Sequence, residues 1–69
     1  MPLSFAKPKE KFVIQKITGT DAVKQHLSEL GFVKGARIHV ISETAGNLIV
    51  SVKDSRVALD RSLTNRIFV

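Results

Sequence analysis

Apolar positions recur along this chain at two periods, and the period changes where glycine, proline or a short polar cluster interrupts it. Between Asp21 and Leu30, Val23, Leu27 and Leu30 stand at i, i+4 and i+7, one face of a helix. Thr20 or Asp21 supplies its N-cap. Gly31 falls where a left-handed residue ends a helix, with Phe32 in reach of Leu27, which predicts a Schellman closure. Upstream, residues 11 to 17 are rich in β-branched side chains and stop at Thr18-Gly19-Thr20, which predicts a first strand. Before it, Ser4 to Pro8 reads as an opening turn in which Ser4 caps.

Beyond the helix the pattern turns to period two. Val33-Lys34-Gly35 makes a turn into residues 36 to 42, where Ile38 and Val40 point one way and Arg37, His39 and Ile41 the other. A five-residue hairpin loop is expected at 43 to 47, because Gly46 and Asn47 both tolerate positive φ. Residues 48 to 53 form the next strand, Asp54-Ser55 the next turn, and residues 56 to 59 a further strand. Asp60 caps a helical turn near 60 to 65, and residues 66 to 69 close as a last strand. This order predicts a mainly β chain: a small, partly open barrel of about five strands with one α-helix near 21 to 30.

A length of 69 residues allows one domain, residues 1 to 69, with a small core. Hydrophobic residues make up 43% and charged residues 25%, which fits a globular chain and neither disorder nor a coiled coil. No cysteine is present, so disulfides, thiolate metal sites and cysteine nucleophiles are excluded, and a reducing compartment fits. Apolar runs stop far short of the ~20 residues that span a bilayer, and Lys7, Lys9 and Lys11 precede no signal-like apolar stretch, so a cytoplasmic location is expected. Eleven Lys and Arg against six Asp and Glu give a net charge of +5, spread along the chain. That balance favours encounter with acidic partners of any class.

Candidate chemistry is sparse. The chain lacks the spacing of a phosphate-cradling loop and has no recognisable motif joining a serine to a histidine base, so it does not read as an enzyme. His26 and Glu29, at i and i+3 of the expected helix, are the sharpest metal candidates. Two ligands do not make a transition-metal site, and His39 adds a third only if its strand runs beside the helix. An exposed polar helix face is the plainer account of His26 and Glu29, so no cofactor is assigned. Nucleic-acid binding by base stacking fits poorly: Tyr and Trp are absent, and Phe5, Phe12, Phe32 and Phe68 read as strand interior, cap contact or core.

Leu27-x-x-Leu30-Gly31-Phe32-x-x-Gly35, followed by Arg37-Ile38-His39-Val40, resembles the central signature of the FeoA family of ferrous iron transport proteins. Leu3-Ser4 with Lys7 to Glu10, the stretch from Ile14 to Gly19, and Val57 to Arg61 through Arg66 to Val69 resemble the family's opening, first strand and closing pattern. Lys9 stands where the family commonly has Gly, and Lys34 where it commonly has Pro. The resemblance implies an SH3-like barrel and a cytoplasmic accessory without catalysis. It further implies docking on the cytoplasmic part of a FeoB-like membrane transporter, which carries a G-protein-like domain. On that reading the helix and the turn after it form the docking surface, with Lys24, Lys34 and Arg37 meeting an acidic partner. Leu27, Leu30, Gly31, Phe32 and Gly35 then hold the fold. The alternative is a small basic β-barrel that binds nucleic acid or senses a transition metal such as the ferrous ion.

Overall fold

The first apolar run does not stay in one sheet. In the computed structural model, which describes residues 1–69, β1 (Lys11–Val13) and β2 (Lys16–Ile17) are separate strands. Between them Ile14, 1% exposed, donates its N–H to Ala36 O at 2.9 Å, whereas Gln15 donates to Phe68 O at 2.7 Å. The backbone thus hands its hydrogen bonds from one sheet to the other across a single peptide, and this corner raises the strand count from the expected five or so to six.

The remaining elements are α1 (Asp21–Leu30), β3 (Arg37–Thr44), β4 (Asn47–Val52), β5 (Ser55–Leu59), a short α2 (Arg61–Thr64) and β6 (Ile67–Phe68), with a 3-10 turn at Leu3–Phe5. Ser4 lies inside that turn rather than capping it; Pro2 precedes it and no side-chain bond caps it. One sheet runs β1-β3-β4-β5 and the other pairs β2 with β6, all antiparallel. The two sheets do not close on each other, so the barrel is partly open.

Alternation decides what each strand buries. On β3 and β4, Ile38, Val40, Leu48, Val50 and Val52 face inward and are at most 3% exposed. α1 adds Leu27, the 3-10 turn adds Leu3, and Ile14 and Ile67 fill the space near the corner, in a core of 12 buried apolar residues. Each such side chain contributes roughly 1.5 to 3 kcal/mol when fully buried, which is the main source of stability in a chain without disulfides.

The first hairpin is tighter than the sequence suggests, and the second is displaced along the chain. β3 and β4 meet across a two-residue turn, Ala45 at φ 50° and Gly46 at φ 82°, so Glu43, Thr44 and Asn47 belong to strands. The next turn is Lys53-Asp54, at φ 48° and 64°, one residue earlier than expected. Two central residues at positive φ are the signature of a type I′ turn, whose twist matches the strands it joins and makes it shorter than a loop.

Asp60 accepts from Leu63 N–H at 3.1 Å and from the Ser62 hydroxyl at 2.5 Å, which fixes the start of α2. The Ser62 hydroxyl and then the Leu63 amide hold its carboxyl below the usual carboxylate range. The two chain ends pair: Met1 donates to Val69 O at 2.8 Å and Val69 to Met1 O at 2.9 Å.

Candidate functional site

The helix is built as its residues dictate. Thr20 Oγ1 accepts from Val23 N–H at 3.3 Å, and Gly31 adopts φ 104° at the other end. Gly31 N–H reaches Ser28 O and Phe32 N–H reaches Leu27 O, both at 2.9 Å, the paired bonds of a Schellman closure. Leu27 and Phe32 are buried, Leu30 is half-buried against the core, and Gly35 has φ 88° in the turn that follows. A side chain at Gly31 would meet Val52 Cγ2 at 3.3 Å, whereas Gly35 faces open space.

This frame leaves a polar outer surface on α1. His26 and Glu29 are both exposed there, and no third His, Asp or Glu comes together with them. His39 is on β3, set opposite Lys11 on β1 and Ser51 on β4, apart from the helix histidine.

The three candidate cations are all exposed but do not form one group. Lys24 lies in α1, Lys34 in the turn after it, and Arg37 at the start of β3 opposite Val13. Arg37 instead joins Lys11 and Lys53 around a hollow of about 440 Å³ on the outer side of the four-stranded sheet, with His39, Ser51 and Asp54 also lining it. Reading the sequence alone missed this hollow. The outward alternation of Arg37 and His39 was visible, but Lys11, Ser51 and Lys53 join them only once four strands are in register.

The aromatic side chains divide. Phe32 is buried and Phe12 packs half-buried on the core. Phe68 is half-buried with Lys16 Nζ 5.1 Å from its ring centroid, a cation–π distance. Phe5 departs from the expectation of a structural role for all four, because it is 70% exposed. Residues of a three-residue 3-10 turn point in three directions, and here Leu3 takes the inward one.

With the geometry in place, the FeoA domain description matches residues 1–69 in full. The chain belongs to the FeoA family. A protein of Methanocaldococcus jannaschii that carries the provisional name Fe(2+) transport protein A is 35% identical over 68 residues, spanning 99% of this chain and 83% of that protein. A crystallised FeoA described as an iron uptake regulatory protein superposes with a TM-score of 0.90 at 31% identity, covering 97% of this chain and 91% of that one. FeoA of Stenotrophomonas maltophilia, solved with zinc and described as a procaryotic SH3 domain protein, gives a TM-score of 0.86 at 31% identity over 100% of this chain and 88% of that one. The SH3-like shape expected from the FeoA resemblance is therefore the shape of the fold. No helix is long and apolar enough to cross a membrane.

Proposed function

We propose that this FeoA-family chain is a small cytoplasmic accessory of ferrous iron transport that acts by contact, docking on the cytoplasmic part of a FeoB-like transporter. The observation that carries the reading is the family match over residues 1–69, joined to a relative named for Fe(2+) transport. The docking surface is α1 with the turn after it. Its buried side is rigidly seated by Leu27 and Phe32, and its free side presents Lys24 and Lys34 with Arg37 just beyond. A preformed surface loses little entropy on binding, and its cations speed encounter with an acidic partner.

The test is a titration of the purified protein against the cytoplasmic domain of the FeoB-like transporter from the same organism, with and without nucleotide and ferrous ion. Saturable binding that weakens when Lys34 and Arg37 are both changed to Glu, with an unchanged circular dichroism spectrum, is the expected result. Absence of binding under every condition overturns the docking reading.

A further inference from the structure

We propose that the hollow on the outer face of the four-stranded sheet binds the oligophosphate group of a small ligand, with Lys11, Arg37 and Lys53 on its rim and His39 and Ser51 at its centre. The hollow shares Arg37 with the docking surface proposed on α1 and otherwise draws on different residues.

Its parts are assembled by strand register. Lys11 pairs with His39, His39 with Ser51, and Ser51 with Arg56, so one outward rung crosses all four strands. Neighbouring strands lie about 4.8 Å apart, which makes that rung roughly 14 Å long. Arg37, two residues from His39 on β3, lies on the same face about 6.8 Å along the strand. Lys11, Arg37 and Arg56, three cations far apart in sequence, are thereby brought to one side of one sheet, and Lys53 follows at the end of β4.

The chemistry of the lining selects the ligand class. Lys11, Arg37 and Lys53 face one carboxylate, Asp54, so the rim is net positive. Ammonium groups and the guanidinium fork are the side chains suited to phosphate oxygens. His39 and Ser51 are half-buried, and the side-chain hydrogen bonds within the chain are made elsewhere, leaving both free to donate. The cations rise from β1, β3 and the end of β4, a span that suits linked phosphates better than a single one. At about 440 Å³ the hollow has the size of a small-ligand site, and Val13, 44% exposed, gives an uncharged remainder of the ligand an apolar wall.

Backbone strain falls at the same place. Lys53 and Asp54 hold the left-handed conformation at φ 48° and 64° in a turn without glycine, whereas the β3–β4 turn has Gly46 at its second position. A non-glycine residue in that region is strained, most of all when it is neither Asn nor Asp. Glycine or asparagine would build the turn with less strain, and the lysine that stands there adds a cation to the rim of the hollow.

The test is a 15N–1H NMR titration of the whole chain with tripolyphosphate at fixed ionic strength, with sulfate as comparator. Saturable shifts centred on the amides of Arg37, His39, Ser51 and Lys53, and weaker binding of sulfate, are expected. Lys11→Ala and Lys53→Asn should each weaken binding about tenfold, the second while keeping a turn-compatible residue, and Lys24→Ala should leave it unchanged. Shifts scattered over every basic residue, or equal loss in Lys24→Ala, would reduce the effect to general charge attraction and overturn the proposal. So would an acidic peptide or an oligonucleotide that occupies the hollow while tripolyphosphate fails to displace it.

Discussion

Phe32 donates its backbone N–H to Leu27 O at 2.9 Å while both side chains lie in the core, 1% and 0% exposed. Ending the helix and seating it on the barrel are therefore one contact. Leu27→Ala opens a cavity at that point and should cost about 2 to 5 kcal/mol, much of the stability of a domain this small, measured by urea unfolding. Gly31→Ala should cost clearly more than Gly35→Ala. Both positions have positive φ, worth about 1 to 2 kcal/mol against a side chain, but only the first drives the new methyl against Val52 Cγ2 at 3.3 Å. Equal costs at the two glycines would remove the Val52 contact from the account.

Asp60 makes stability depend on pH in a defined direction. Its folded-state pKa is lowered by the Ser62 hydroxyl and the Leu63 amide, so the native state binds the proton less readily than the unfolded chain. The contribution is fully present above the unfolded carboxylate value of about 4 and is lost as pH falls through and below it. Asp60→Asn retains an oxygen acceptor for the Leu63 amide but has no carboxyl to titrate. Unfolding midpoints measured from pH 6 downwards should therefore converge for wild type and Asp60→Asn in acid, and a constant gap between them would contradict the assignment.

The Lys53-Asp54 turn gives a prediction in which stability and binding move in opposite directions. Replacing Lys53 by Asn and Asp54 by Gly places in a type I′ turn the residues that adopt it most readily. The double variant should gain about 1 kcal/mol, read as a raised Tm, and should lose affinity for tripolyphosphate. A fall in Tm would mean that the wild-type pair is not strained.

Phe5 and Phe32 should answer substitution very differently. Phe5→Ser removes a side chain that is 70% exposed and should shift stability by less than about 0.5 kcal/mol, whereas Phe32→Ala should cost about 3 to 5 kcal/mol. Chemical denaturation of the two variants side by side gives the comparison directly.

Where the chain carried its own local instructions, the sequence was readable. α1 spans Asp21–Leu30 as the spacing of Val23, Leu27 and Leu30 requires, because both of its ends are set by side chains or glycine within a turn of the helix. The cap at Asp60 was readable for the same reason. The corner at Ile14 and Gln15 was not, since which sheet receives each amide depends on partners near residues 36 and 68. Phe5 was misjudged because hydrophobicity carries no direction in a turn of three residues. The candidate anion site was hidden most deeply: placing the second two-residue turn one position later slides the pairing by two residues and would set Ser51 opposite Ala58 instead of Arg56. A turn that forgoes glycine gave no local mark of where it begins.

Met1 and Val69 lie side by side, so the backbone path returns to where it started. Because Met1 and Val69 exchange backbone hydrogen bonds as neighbouring strands do, a short peptide linker could join them without moving any element. Joining them would remove about 4 kcal/mol worth of freedom from the unfolded chain, by analogy with a disulfide closing a loop of similar length. The ring could then be cut instead at Ala45-Gly46, an exposed turn away from the hollow and the helix, to give a permuted chain with every proposed contact surface intact.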